Sequence, residues 1–159
     1  MASDPGEGLL APGVRSGVVV CAYQPVERAG AMMHLAVPVE GTESALAGAE
    51  GRAVTEMVVR GLTDAGCCLS GARAAVIACV PDEAMERQSR RPLARVLGTR
   101  ISLALRRAGA RARLLEIPGG RDKSVFLTLA HGEVNLLHAG GATCLARLIE
   151  WVGRRPVPP

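Results

Sequence analysis

Hydrophobic positions follow two periodicities along this chain, and together they predict alternating strands and helices. Three largely apolar segments predict strands, and the continuous runs in the first (18–22) and the third are typical of strands that are buried on both faces. They cover 14–23, 32–37 and 74–80. Apolar residues spaced three and four apart predict two amphipathic helices, over 43–66 and 93–108. Strands before, between and after two main helices predict an α/β domain built on a layered, mixed β-sheet.

The C-terminal third of the chain predicts more strands and one short helix. Segments 113–117, 124–129 and 133–137 have strand character, and a Pro-Gly-Gly turn follows the first of them. Because Gly132 can supply the positive φ of a tight turn, the second and third segments are expected to form a β-hairpin. Residues 143–152 are expected to form a short final helix.

The chain is expected to fold as one domain between two tails. Its 159 residues suit a single domain of ordinary size. Residues 1–13 contain several glycines and prolines, which predicts a flexible lead-in. The domain itself is expected over 14–152, and 153–159 form a Pro-rich tail.

Composition narrows the class of function. The net charge is +4, but Lys123 is the only lysine, so the arginine content fits the codon usage of a GC-rich genome. Only 2% of residues are aromatic and no nucleic-acid-binding motif is present, which argues against nucleic-acid binding. No apolar run is long enough for a membrane span, and no secretory signal is evident. We therefore expect a cytoplasmic protein without membrane insertion.

The cysteines do not indicate a disulfide framework or a metal site. There are five, an odd number, and none forms a Cys-x-x-Cys pair. We expect reduced thiols, no metal and no cofactor. Cys21 lies within an apolar run and is expected to serve as a small core residue.

Four segments carry the most specific pattern in the chain. They are Ser-Gly-Val-Val-Val-Cys-Ala-Tyr at 16–23, Ala-Gly-Ala-Met-Met-His-Leu-Ala-Val-Pro at 29–38, Leu-Glu-Ile-Pro-Gly-Gly-Arg at 115–121, and His-Gly-Glu-Val at 131–134. In order and spacing they resemble the CheD family of chemoreceptor glutamine deamidases. The histidine element at 29–38 is the most specific part of the match.

The resemblance implies a fold similar to that of bacterial glutamine-deamidating toxins, and a thiol chemistry. In such chemistry a thiolate attacks the side-chain amide, ammonia leaves, and water hydrolyses the thioester. The family's histidine falls on His34, its cysteine on Gly17, and its orienting threonine on Ala11. The third-strand segment at 77–80 also departs from the family pattern. The resemblance further implies methyl-accepting chemoreceptors and the CheC phosphatase as protein partners.

Three hypotheses remain open at this stage. In the first, the chain is a degenerate, CheD-like chemotaxis protein that lacks deamidase activity and acts by binding. In the second, it is an active protein-glutamine deamidase whose nucleophile is Ser16, adjacent to the lost cysteine, or Cys21. In the third, the fold serves another process and the arginine-rich segment 87–113 is a docking surface. In each, His34 is either a retained catalytic group or an ordinary, partly buried strand residue.

Overall fold

The computed structural model of the chain describes residues 7–38, 46, 48–82 and 92–149. Within them lie eight strands and two helices. The strands are β1 (Gly8–Ala11), β2 (Gly17–Gln24), β3 (Ala29–Ala36), β4 (Arg73–Val80), β5 (Arg111–Pro118), β6 (Ser124–Thr128), β7 (Glu133–His138) and β8 (Gly141–Arg147). The helices are α1 (Ala49–Asp64) and α2 (Leu93–Arg107).

The strands form two four-stranded sheets. The central sheet has the order β3-β2-β4-β5; β2 is antiparallel to both of its neighbours, and β4 and β5 are parallel. The outer sheet has the order β1-β6-β7-β8 and is antiparallel throughout. Both helices pack on one face of the central sheet, and the outer sheet packs on the other face. The result is a three-layer α/β/β arrangement.

Alternation along the central strands explains why this sheet is covered on both faces. On β2, Val18 and Val20 pack with the helices, whereas Val19 and Cys21 pack against the outer sheet. Every residue of β4 is buried. A strand enclosed in this way needs apolar side chains at successive positions, which is the pattern that the sequence shows.

Several predictions from the sequence are confirmed. The α/β class holds, the three apolar runs correspond to β2, β3 and β4, and the expected hairpin forms between β6 and β7. Gly132 in that turn has a φ of +61°. The first helix begins at Ala49, later than expected, and residues 43–45 and 47 of the predicted helix lie outside the described residues.

The predicted lead-in is shorter than the sequence suggested. Residues 8–11 form β1, which pairs antiparallel with β6 from Gly8 opposite Thr128 to Ala11 opposite Val125. This pairing buries Ala11 between the sheets, so the domain extends back beyond residue 14. Residues 1–6 and the expected tail at 153–159 lie outside the described residues.

The predicted final helix is wrong. Residues 141–147 form β8, an edge strand of the outer sheet. Ala139 and Gly140 form the turn that reverses the chain onto β7, and backbone pairing with that strand, which starts with Gly141 opposite His138, outweighs the helical spacing of the apolar residues. Residues 150–152 of the predicted helix lie outside the described residues.

Neither described helix combines the length and the apolar character that crossing a bilayer requires.

Candidate functional site

Gly17 and His34 lie on neighbouring strands of the central sheet. Gly17 opens β2 and pairs with Ala36 of β3, and His34 pairs with Val19. Because alternate residues share a face, both positions lie on the face toward the outer sheet. Diagonal neighbours of this kind have Cα atoms about 7–8 Å apart. The structure therefore brings together the two positions at which the family resemblance implies a nucleophile and its base.

A glycine turn after β5 fixes the chain just before Gly17. The Gly120 N–H donates to the Val14 carbonyl at 3.1 Å, and the Val14 N–H donates to the Lys123 carbonyl at 2.9 Å. The backbone of Gly119 lies so close to Arg15 that a Cβ there would overlap the Arg15 carbonyl oxygen. The Pro-Gly-Gly motif thus allows two backbone segments to pack in direct contact.

Gly17 has no space for a side chain. Its φ is +156°, and a Cβ built on its backbone would overlap the Leu35 carbonyl oxygen and lie 3.1 Å from the Ala36 Cα. These atoms belong to the backbone of β3, so they cannot move aside as a flexible side chain could. The position implied for the nucleophile is occupied by the neighbouring strand.

His34 is exposed on the edge strand β3. Within the described part of the chain, no residue forms a hydrogen bond or ion pair with its ring. Partial burial lowers its pKa from the ordinary value of 6.5, because the charged imidazolium is less well solvated there. A histidine that activates a thiol is instead protonated beside the thiolate, which favours the charged form. This electrostatic setting favours a neutral imidazole.

Ala11 and Ser16 flank the same region without supplying a group that orients the histidine. Ala11 is 3% exposed and packs among the apolar residues between the sheets, where its methyl group cannot accept or donate a hydrogen bond. Ser16 is half-buried, and its carbonyl oxygen accepts a hydrogen bond from the Val37 N–H at 3.1 Å. That bond extends the pairing of β2 with β3 by one step beyond Gly17.

Two buried cysteines lie on the same face of the sheet. Cys79 on β4 pairs directly with Gly17, and Cys21 lies four residues further along β2. Burial raises the pKa of both thiols; Lys123 nearby only partly offsets this for Cys79, whose pKa rises to about 12. Both thiols are therefore protonated at neutral pH, and protonated thiols are poor nucleophiles.

The sequence assigns Cys79 to the divergent third-strand segment, but it does not predict that Cys79 pairs with Gly17. The antiparallel register of β2 with β4 makes that link, and a single sequence does not contain it. Cys79 and His34 lie on the two strands that flank β2, with a two-residue offset. At usual strand spacings their Cα atoms are roughly 11–12 Å apart, too far for a thiol–imidazole pair.

The rest of the described surface adds no catalytic group to this region. Among the described residues, no group of three or more His, Cys, Asp or Glu could hold a metal ion. An open groove of about 320 Å³ is lined by α1 and α2, in the layer on the other side of the central sheet. Its lining residues are Thr55, Glu56, Val59, Arg60 and Ala104.

Neither a protein-family model nor a curated protein sequence matches this chain. The resemblance to the CheD family therefore rests on the four sequence segments alone.

Proposed function

We propose that this chain is a CheD-related chemotaxis protein that has lost deamidase activity and acts by binding a protein partner in the cytoplasm. A methyl-accepting chemoreceptor or a CheC-like phosphatase is the partner that the resemblance implies. The observation that carries the proposal is the backbone environment of Gly17, which excludes any side chain at the position of the nucleophile.

Loss of the nucleophile is sufficient to remove this chemistry. Deamidation through a thioester requires a thiolate within reach of an imidazole, and glycine has no atom that can form the covalent bond. Removing the nucleophile of a catalytic triad costs on the order of 10⁶-fold in turnover. His34 alone, neutral and without a hydrogen-bonding partner among the described residues, does not replace it.

Burial of the two thiols that share a sheet face with Gly17 supports the same conclusion. Cys21 and Cys79 are fully buried and protonated at neutral pH, so neither meets a substrate glutamine. Ser16 is the more accessible of the nucleophiles considered from the sequence. A serine hydroxyl needs an adjacent general base. His34 on β3 pairs with Val19 of β2, which lies three residues beyond Ser16.

A binding role is supported by what remains around Gly17. Backbone hydrogen bonds join Val14 to the turn at Gly120 and Lys123, and β3 presents exposed positions at His34 and Ala36. A surface of this kind can hold a partner without changing it. What a protein does depends on such a site and cannot be concluded from its fold alone.

The test is an assay of amide hydrolysis on a chemoreceptor cytoplasmic fragment. The native chain is incubated with the fragment, and each glutamine-containing peptide is examined by mass spectrometry for conversion to glutamate. A cysteine-bearing member of the CheD family serves as the positive control. We expect no conversion by the native chain, together with saturable binding to the fragment or to a CheC-like phosphatase by calorimetry.

Three outcomes would overturn the proposal. Conversion that is lost in Ser16→Ala would show an active deamidase with a serine nucleophile; conversion that is lost in Cys21→Ser would assign that role to the buried thiol. Absence of both conversion and binding to either partner would remove the chemotaxis assignment.

A further inference from the structure

Four exposed arginines surround the turn that joins α2 to β5. The segment from Leu93 to Leu115 contains six arginines and no acidic residue. Arg95 is paired with a glutamate, and Arg100 donates to the Leu46 carbonyl, so these two have partners within the fold. The other four are exposed and are here named the arginine patch: Arg106, Arg107, Arg111 and Arg113. The patch belongs to the arginine-rich segment 87–113, of which residues 87–91 lie outside the described residues.

Polar contacts join α2 to β5 at both ends of the helix, but only one end is neutralised. At the first end, the Arg95 Nε and Nη2 donate to the Glu116 carboxylate at 2.6 and 2.7 Å. At the other end, the Arg106 Nε donates to the Ala112 carbonyl at 3.0 Å. This second contact places the Arg106 guanidinium beside the middle of the 111–113 segment, which has an arginine on each side of Ala112. Positive charge therefore collects at the end of α2.

Packing within the protein does not account for this charge. Among the described residues, no hydrogen bond or ion pair holds the guanidinium of Arg107 or Arg111. Arg111 lies opposite Arg73 of β4, and its repulsion adds to burial in lowering the pKa of Arg73. The helix dipole favours cations in the last turn of α2, but it does not explain the two arginines of β5. An anionic partner would relieve the repulsion between these like charges.

An exposed leucine lies one helical turn before the patch. Leu103 is 46% exposed, and it precedes Arg106 and Arg107 by three and four residues, so the three side chains are neighbours on the surface of α2. An apolar side chain beside several arginines is typical of helices that lie on an anionic bilayer, where the apolar group enters the boundary between headgroups and acyl chains. The groove between α1 and α2 instead carries Glu56, which would repel an acidic peptide. These features favour a lipid surface over an acidic protein segment.

We propose that the arginine patch binds the surface of a bilayer that contains anionic lipid, with Leu103 in contact with the boundary between headgroups and acyl chains. Basic clusters that bind such surfaces contain about four to eight cationic side chains, and the patch has four. The attraction acts between charges at the surface of the protein and of the membrane, so it does not require a preformed cavity. This inference does not depend on the proposed loss of deamidase activity.

Binding of this kind should be weak, reversible and sensitive to salt. Each arginine near an anionic surface should raise the partition coefficient by about fivefold. The attraction falls off within a Debye length, which is about 10 Å at 0.1 M salt and about 3 Å at 1 M. Binding should therefore be strongest at low ionic strength and should be lost at high ionic strength, whereas purely apolar binding would persist.

The test is co-sedimentation of the full chain with lipid vesicles at low salt. We expect binding to vesicles of phosphatidylcholine mixed with phosphatidylglycerol, and little binding to phosphatidylcholine alone. The double variant Arg107→Gln, Arg111→Gln should weaken binding by about 25-fold, because it removes two charges from the patch. The matched control is Arg52→Gln, Arg60→Gln, which removes two exposed charges from α1 and should change binding little. Leu103→Gln should weaken binding by roughly threefold and leave its salt dependence unchanged.

Three outcomes would overturn the inference. Binding of polyglutamate without binding to the mixed vesicles, in the same buffer, would assign the patch to an acidic protein segment. Equal losses in the two double variants would show that the chain is attracted by its net charge and not by the patch. Unchanged binding by Leu103→Gln would place the lipid contact elsewhere. All of the substituted side chains are exposed, and urea unfolding of each variant confirms that a loss of binding does not reflect a loss of folding.

Discussion

At the scale of single residues, both the backbone conformation and the packing at Gly17 favour glycine. Its φ lies in the range that favours glycine, and its missing side chain would point into the backbone of Leu35 and Ala36. Glycine is therefore required here by packing as well as by conformation. A cysteine cannot be introduced at this position without moving β2 relative to β3.

Substituting alanine for Gly17 measures this constraint without any chemistry. Gly17→Ala should lower the free energy of unfolding by about 2–4 kcal/mol, because backbone strain and overlap with β3 add together. The matched control is Gly71→Ala, where φ is +78° but a Cβ would meet no atom within 4 Å. That variant should lose about 1 kcal/mol, from conformation alone. Urea unfolding followed by circular dichroism gives both values, and equal losses would show that Gly17 is not sterically confined.

At the scale of elements, Arg73 fastens the segment after β8 to the central sheet. Its guanidinium Nη1 donates to the Leu148 carbonyl at 2.7 Å and to the Ile149 carbonyl at 2.5 Å, although the residue is only 8% exposed. Burial and the neighbouring Arg111 lower the pKa of Arg73. The Leu148 N–H also donates to the Gly132 carbonyl at 2.7 Å, so the segment after β8 is held at both backbone groups.

Removing the guanidinium should therefore loosen the segment after β8. Arg73→Met keeps most of the side-chain volume but leaves two carbonyl groups without their donor, and should cost about 2 kcal/mol of unfolding free energy. Hydrogen exchange at the Leu148 amide should accelerate in the same variant. Arg111→Met, at the exposed neighbour on β5, should change either measurement little. An unchanged exchange rate in Arg73→Met would contradict the fastening role.

The elements differ in how far the sequence could predict them. β2 and β4 are enclosed on both faces, so their apolar runs specify them directly. β1 and β8 are outer strands whose formation depends on partners distant in the sequence or across a turn. The spacing of Leu145 and Leu148 also suits a helix, and pairing with β7 after the turn at Ala139 and Gly140 decides for a strand.

The sequence likewise predicts some features of the candidate site and not others. The local motif at 29–38 points to His34, and the spacing of the resemblance points to Gly17; both roles remain predictions. The contact of Gly17 with Leu35 and its pairing with Cys79 depend on strand register, which one sequence without homologues does not specify.

At the scale of the whole molecule, the three layers divide the five cysteines into two groups. Cys68 and Cys144 are exposed, whereas Cys21, Cys67 and Cys79 are buried. Burial also raises the pKa of the three enclosed thiols, which lowers their reactivity further. The rate at which each thiol reacts with a reagent therefore shows whether the three layers are packed together or open.

Labelling of the native protein with a thiol reagent should be biphasic. Two thiols should react rapidly at low protein concentration, and the other three only as the layers open or unfold in denaturant. The double variant Cys68→Ser, Cys144→Ser should lose the rapid phase completely and keep the slow one. Rapid labelling of Cys79 in the native state would contradict its burial and would supply an accessible thiol beside Gly17.

The crowding around Gly17 has a consequence for the history of such a chain. Glycine and cysteine codons can differ by one nucleotide, so the cysteine implied by the family resemblance is genetically close. The backbone of β3 nevertheless makes that single change costly to folding before it could bring any catalytic benefit. A thiol at this position would need a preceding shift in β3, and selection for stability acts against the change at its first step.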